Sequence, residues 1–223
     1  MSEAKIRLSQ KEMELVSNAD LILTKNTILQ KINQLLGSLH AIQQQYLESY
    51  QAELPLEVFN SSPKISKGEN YKGLPYLILD YPRYFEKENI WAIRTMFWWG
   101  NFFSVTLHLS GTYKKSAEEK LITSYRTLKE KGYYCYVNDD QWVHHFEAGN
   151  YIPLTEISNT DFENLIREKT FIKLVNKIPL QQWDDAEEMM LTYFKEIIGV
   201  LTINPPGDGK VPLPGDPIAK SGL

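Results

Sequence analysis

The chain has 223 residues, of which 43% are hydrophobic, 12% aromatic and 23% charged, and its formal net charge is −4. This composition argues against a disordered chain and fits one large domain with a buried core. The acidic balance argues against binding nucleic acid or an anionic membrane surface, because both need clustered Lys and Arg.

Compartment is indicated by the single cysteine and by the absence of a targeting pattern. Cys135 has no second cysteine with which to form an intramolecular disulfide, and the first seven residues lack the apolar core of a secretory signal. The most apolar window, 197–203, is far shorter than the roughly 18 residues that a membrane span needs. We therefore expect a cytoplasmic protein with no membrane-spanning segment.

Two helices are predicted at the N-terminus. Ser9 and Glu12 form a capping-box pattern that opens a short helix, and Asp20 is the predicted N-cap of a second one. The second helix is expected from about Asp20 to Glu53, ended by Pro55. Its apolar residues recur at alternating spacings of four and three: Ile28, Ile32, Leu35, Leu39, Ile42 and Tyr46. Such a seam packs on its own domain or pairs with another copy; flanking leucines broaden it and favour the first.

The middle of the chain reads mainly as strands. Residues 60–73 are predicted as a loop, 74–80 as a strand, and the segment from Asp80 to Tyr84 as a turn. A hairpin is expected from 90–99 and 102–110, joined by a two-residue Gly100-Asn101 turn. In its second strand, alternation puts His108 on the face opposite Phe103.

The second half alternates helices and strands. A helix opening at Ser116 and closing at Gly132 precedes strands at 133–137, 142–146 and 151–154. A helix at 158–169, a strand at 171–178 and a long helix at 183–203 follow. After Asn204 the composition becomes rich in Pro and Gly, which predicts a flexible tail over 204–223.

These elements predict an α+β fold. We expect an antiparallel or mixed sheet of about five to seven strands, with the long N- and C-terminal helices packed on one face. Residues 1–203 are predicted to form a single domain that carries the tail.

The hairpin tip is the first candidate site. Trp98, Trp99 and Phe102 flank the turn and fall on both strand faces, so a sheet covered on one side would expose some of them. Exposed aromatic patches usually mark interfaces. The alternative, that a loop or helix covers the second face, stays open.

A second candidate is an aromatic pocket between sheet and helices. Its predicted lining is Tyr134, Tyr136, Trp142, His108 and His144. A third candidate is the charged segment that contains Asp80 and Arg83, interpreted either as a ligand-contacting loop or as an ordinary turn.

No chemical motif supports a cofactor, a metal or a catalytic group. Neighbouring residues of a strand point to opposite faces, so His144 and His145 are not expected to share a metal. Cys135 lies in an apolar strand, where a thiol acts as a small hydrophobe. The sequence has no phosphate-binding glycine loop, paired-carboxylate motif or nucleophile elbow.

The leading functional hypothesis is a non-enzymatic interaction module. It would bind a protein partner or a second copy of itself through the hairpin tip, the long N-terminal helix or both. The alternative is a small-molecule-binding protein or enzyme that uses the aromatic pocket.

Overall fold

A computed structural model describes residues 6–147 and 149–202 of the chain. The fold is α+β, as predicted, with an antiparallel sheet in the order β1-β2-β3-β4-β7-β5-β6. The strands are β1 Lys64–Tyr71, β2 Leu74–Phe85, β3 Ile90–Trp98, β4 Phe102–Ser110, β5 Tyr134–Tyr136, β6 Tyr151–Pro153 and β7 Phe171–Pro179. The helices are α1 Gln10–Val16, α2 Ala19–Leu47, α3 Leu56–Phe59, α4 Gly111–Thr123, α5 Tyr125–Glu130, α6 Asn159–Glu168 and α7 Ala186–Leu201.

The N-terminal helices begin at side-chain caps. The predicted capping box is confirmed: the Glu12 amide donates to the Ser9 hydroxyl, and the Ser9 amide donates to the Glu12 carboxylate at 2.7 Å. The second cap was assigned to the wrong residue. The Asn18 side chain, not that of Asp20, accepts from the first amides of α2 at 3.1 Å and 3.4 Å. Asp20 lies instead in the first turn, where negative charge suits the helix dipole.

Helix α2 is shorter than predicted, and the row of residues that it buries differs from the predicted apolar seam. It ends at Leu47 and continues as a 3₁₀ turn, Glu48–Tyr50. Ile42 of the predicted seam is 40% exposed, whereas Gln43 is fully buried. An α-helix has 3.6 residues per turn, so a seam with a strict period of 3.5 drifts around the helix and a different line meets the core. The buried positions are Ile32, Leu36, Leu39, Gln43 and Leu47.

Two predictions around β2 are wrong. Much of the loop expected at 60–73 is strand β1, which pairs with β2 from Lys64↔Asp80 onward. Its edge position explains its polar sequence, because edge strands need no alternating apolar residues and benefit from charge. The turn expected at Asp80–Tyr84 is also strand: β2 runs on to Phe85 through a cis Tyr81–Pro82 bond and a register irregularity.

The predicted hairpin is confirmed, with a longer connection. Strands β3 and β4 pair through Trp98↔Phe102, so the loop between them has three residues, 99–101, instead of two. The Asn101 amide donates to the Trp98 carbonyl at 3.0 Å. Gly100, with φ of 71°, takes the turn position that requires the left-handed region.

The C-terminal half follows the prediction with two corrections. Helix α4 begins at Gly111, and Ser116 lies inside it, donating to the Tyr113 carbonyl instead of capping. The strand predicted at 142–146 is absent, since residues 137–150 form an irregular loop apart from the undescribed residue 148. Helix α6, strand β7 and helix α7 lie close to the predicted ranges. The predicted tail, 204–223, lies outside the described residues.

The main core lies between the helices and one face of the sheet. Phe103, Val105 and Leu107 of β4 point into it, as their alternation predicted, and meet the buried faces of α2 and α7. The opposite face of β4 is buried too, although none of the helices in the described ranges covers it. Within the two described ranges, no helix combines the length and the apolarity required to cross a bilayer.

Two glycine substitutions test this packing in opposite directions. Gly111 has φ of 58°, and a Cβ there would overlap the Glu88 carbonyl and the Asn89 side chain. Gly111→Ala should lower the free energy of unfolding by about 1–3 kcal/mol. Gly37 lies in α2 with open space around it, so Gly37→Ala should raise stability by about 0.5–1 kcal/mol. Urea denaturation measures both, and an equal loss in the two variants would contradict the geometry.

Candidate functional site

Polar side chains from four strands meet on the sheet face away from the helices. The register aligns Asp80 of β2 with Arg94 of β3, and His108 of β4 with Lys173 of β7. Asp80, His108 and Lys173 are at most 5% exposed. Burying so many ionisable groups costs free energy unless they are paired or neutral, so their contacts decide what the site can do.

A loop of residues 137–150, the covering loop, closes over this face. It leaves β5 and returns to β6, and its ends meet where the Val137 amide donates to the Asn150 carbonyl at 2.8 Å. The Asn138 and Asn150 side chains join at 2.9 Å beside that contact. A compact irregular loop with adjacent ends is an Ω-loop, a type that frequently carries function.

Asp80, Arg94 and His144 form a linear chain of contacts. The Arg94 guanidinium donates two parallel bonds to the Asp80 carboxylate, at 2.7 Å and 3.0 Å. Its third nitrogen lies 3.0 Å from Nε2 of His144, which accepts because arginine only donates. Burial, followed by the charges of Lys173 and Arg94, lowers the pKa of His144 to about 2. The imidazole is therefore neutral, and it ties the covering loop to the sheet.

Lys173 is a buried amine with a lowered pKa. It is 1% exposed, and its nitrogen lies 4.2 Å from the ring centroid of Tyr136. It donates to the carbonyls of Gln141, at 3.1 Å, and Val143 in the covering loop, and it has no carboxylate partner within residues 6–147 and 149–202. Burial, with the nearby charge of Arg94, lowers its pKa to about 7. An amine with this pKa is a base or a nucleophile at neutral pH when it is accessible.

His108 completes the group. Its Nε2 lies 3.0 Å from the side-chain oxygen of Gln141, and Trp142 packs edge-on against its ring. Burial, with the charges of Lys173 and Arg94, lowers the pKa of His108 to about 3. One neutral imidazole and one amine of lowered pKa therefore lie beneath the covering loop, and a second neutral imidazole, that of His144, belongs to the loop.

Most of the predicted site residues do meet here, although on the face opposite the one expected. The predicted aromatic pocket was placed between sheet and helices, whereas its members lie on the sheet face away from the helices. Two of them, Trp142 and His144, belong to the covering loop itself, and Trp142 is 49% exposed. The residues brought together are Asp80, Trp98, Phe102, His108, Tyr134, Tyr136, Trp142 and His144.

Two predicted residues lie elsewhere. Trp99 is half-buried and packs against the main core on the helix side of the sheet. Arg83 donates to the Ser62 carbonyl at 3.0 Å, near the start of β1. The tip of the hairpin is thus covered on both faces, with Trp98 only 7% exposed and its indole donating to the Tyr71 carbonyl.

Sequence reasoning missed Arg94, Lys173 and Tyr71. Each of the two cations lies within an apolar stretch of its strand, and that was the available signal, since such residues are rarely buried without a specific partner. Tyr71, in the segment read as a loop, accepts from the His144 amide at 2.7 Å and contacts the His145 ring nitrogen at 2.9 Å. Nothing in its local sequence marks that role.

Metal and thiol chemistry find no support in the arrangement. Across the described ranges, no three His, Cys, Asp or Glu side chains converge as a metal site. Burial raises the pKa of the Cys135 thiol to about 12, which leaves it protonated and unreactive.

A second candidate lies on the surface at the N-terminus. Residues 6–24 are all exposed, and helix α1 buries none of its residues. Of twelve large apolar side chains exposed within the described ranges, eight belong to this segment. They form what we call the N-terminal apolar surface: Ile6, Leu8, Met13, Leu15, Val16, Leu21, Ile22 and Leu23.

A groove continues this surface onto the sheet. The first turns of α2 form one wall, and Leu74, Pro75 and Trp99 form the other, around a volume of about 450 Å³. We call it the apolar groove. Polar residues at its rim include Asp20 and Lys25. The groove therefore joins the long helix to the hairpin tip.

No protein-family model matches the chain, and no curated protein matches it. The structure offers two candidate sites, the group at the covering loop and the N-terminal apolar surface with the apolar groove.

The proton affinity of Lys173 predicts a pH dependence of stability. Its pKa is about 7 in the folded chain and 10.5 ordinarily, so unfolding binds a proton between those values. The free-energy cost of burying the protonated amine is largest below pH 7, and it decreases as pH rises to 10.5. Relative to Lys173→Met, the wild type should gain up to about 1.4 kcal/mol per pH unit across that window. Urea denaturation of both at pH 7, 8 and 9 measures this, and parallel curves would disprove it.

Proposed function

We propose that this chain is a non-enzymatic protein-interaction module that binds through the N-terminal apolar surface and the apolar groove. The supporting observation is the concentration of eight of the twelve exposed large apolar side chains in residues 6–23. Soluble chains rarely leave large contiguous apolar patches in water, and such patches usually mark an interface.

The groove adds specific anchors to this patch. Trp99 is half-buried at its wall, so a partner can cover the remaining ring face, and tryptophan is enriched among residues that dominate binding energy. The long helix and the hairpin tip, two separate features of the sequence hypothesis, contribute to the same groove. A helix-in-groove mode of recognition suits this shape.

The proposed compartment is the cytoplasm. The only cysteine is buried and its thiol pKa is raised, which is compatible with a reducing compartment that does not depend on disulfides. Nucleic acid is not proposed as the partner, since the chain carries a net charge of −4.

Photo-crosslinking in cells tests the proposal. A benzophenone amino acid at Val16, which is 70% exposed, should give a crosslinked product, because the surface is occupied by a partner. The same amino acid at Arg126, whose side chain is 89% exposed on α5, is the matched control and should give none. Equal crosslinking at the two positions, or none at Val16, would refute the proposed interface.

A second candidate function, small-molecule binding or catalysis, is favoured by the group under the covering loop. The pKa values of Lys173, His108 and His144 are all lowered, and convergent groups with perturbed pKa values are typical of reactive sites. This candidate requires the covering loop to open, because Lys173 is 1% exposed.

Amine labelling tests that opening. Reductive methylation at pH 7 should modify Lys173 faster than Lys114. An amine with a pKa of about 7 is partly unprotonated at this pH, so it reacts when the covering loop opens to the reagent. Lys114 is the matched control because it is 4% exposed and held by Glu118. Peptide mass spectrometry measures both rates. If Lys173 is protected as well as Lys114, the site does not open and the second candidate fails.

A further inference from the structure

We infer that a cavity between helices α2 and α3 and strand β2 binds a small organic cation that carries a primary ammonium group. This site is separate from the N-terminal apolar surface, which lies at the opposite end of α2, and binding there does not require the proposed protein partner. We call it the α2–β2 cavity. The residues that line it include His40, Gln44, Glu48, Phe59, Ser61 and Tyr81.

The α2–β2 cavity is formed by elements that pack on the main core. His40 and Gln44 of α2 and Glu48 of the 3₁₀ turn are spaced by four residues, so their side chains follow one another along one wall. Phe59 lies at the end of α3, and Tyr81 of β2 belongs both to the lining and to the main core. The volume is about 360 Å³, within the range of roughly 300–1,000 Å³ that is typical of ligand pockets.

Two polar atoms of the lining have no hydrogen-bond partner among the described residues. Tyr81 is only 5% exposed, and its hydroxyl keeps contact with the cavity but makes no hydrogen bond. The His40 ring packs edge-on against the Tyr81 ring, with the centroids 4.5 Å apart, and its buried Nε2 also lacks a partner. Polar groups of buried side chains usually have partners. The Tyr81 hydroxyl is therefore available to a molecule bound in the cavity.

The charge of the lining favours a cation. Within the described ranges, Glu48 is the only ionised residue that lines the cavity. Burial lowers the pKa of His40, so its imidazole is neutral at pH 7. Burial and then the charge of Glu48 raise the pKa of Tyr81, which keeps its hydroxyl protonated. The neighbouring cation, Arg83, donates from Nε to the Ser62 carbonyl at 3.0 Å and does not belong to the lining. A single negative charge in a cleft attracts cations and repels anions.

A primary ammonium group fits this lining. It has three N–H donors, and acceptors are present on the Glu48 carboxylate, the Tyr81 hydroxyl and the Gln44 side-chain amide. The rings of Phe59 and Tyr81 line the same cavity, and aromatic rings attract ammonium groups electrostatically. A divalent metal ion suits it less well, because such ions bind several carboxylate or imidazole ligands together. The chemistry of the cavity therefore points to an organic ammonium ligand.

Ligand-observed NMR titration of the full chain at pH 7 tests the inference, with butylammonium as the probe and butyrate as its anionic control. Butylammonium should bind and butyrate should not. Glu48→Gln should weaken butylammonium binding about tenfold or more, because the only ionised group of the lining is lost. Glu53→Gln removes an exposed carboxylate outside the lining and should leave the affinity unchanged. No saturable binding up to about 10 mM, equal binding of the two probes, or equal effects of the two substitutions overturns the inference.

Tyr81→Phe separates ligand binding from a structural role. The substitution removes a hydroxyl that makes no hydrogen bond within the described residues, so the free energy of unfolding in urea should be unchanged or higher. Butylammonium binding should nevertheless weaken about threefold or more, because one of its acceptors is lost. An unchanged affinity overturns the assigned site. A large loss of stability shows that the hydroxyl has an internal partner, and that result overturns the assignment as well.

Discussion

The central constraint on this molecule is that both faces of strands β3, β4 and β7 are buried, while the helices of the described part of the chain cover one of them. The helix side is covered by ordinary apolar packing. The other side needs a different cover, and the covering loop provides it. Because loops carry unpaired backbone groups that must be satisfied when they are buried, the sheet beneath presents hydrogen-bonding side chains there instead of an apolar surface alone.

Lys173 satisfies two of these backbone groups, and Arg94 joins the loop to the sheet through a side chain. The guanidinium bridges the Asp80 carboxylate of the sheet and the His144 ring of the loop, and the amine binds two loop carbonyls. Removing one partner of a buried ion pair costs about 3–5 kcal/mol because it leaves a charge uncompensated. Lys173 and His144, which take part in these contacts, also have lowered pKa values. The same groups therefore hold the covering loop in place and acquire lowered pKa values. Their lowered pKa values are explained by this structural role without a ligand.

The N-terminal apolar surface has the opposite character. At the covering loop, Lys173, Arg94 and His108 have hydrogen-bond partners, whereas α1 buries none of its large apolar side chains among the described residues. Unsatisfied apolar area drives association, since its burial is favourable at roughly 25 cal/mol per Å². This asymmetry places the proposed interaction at the N-terminus and makes the loop-covered site the second candidate.

The sequence predicted those structural features that depend on interactions between residues close together in the chain. Several correctly predicted features depend on hydrogen bonds and periodicities within a few residues. They are the capping box at Ser9, the β3–β4 hairpin, helices α6 and α7 and the inward face of β4. The α+β class followed from the order of these elements.

Tertiary structure decided the rest. Strand β1 exists because β2 offers it a partner, and β2 continues past Asp80 because β3 pairs with it beyond that point. The meeting of Asp80, Arg94, His108 and Lys173 depends on register across four strands, which no local pattern encodes. The sequence by itself determined most of the helices and the β3–β4 hairpin, through short-range propensity and periodicity. Only the tertiary structure decided which faces those elements bury, because that depends on partners distant along the chain.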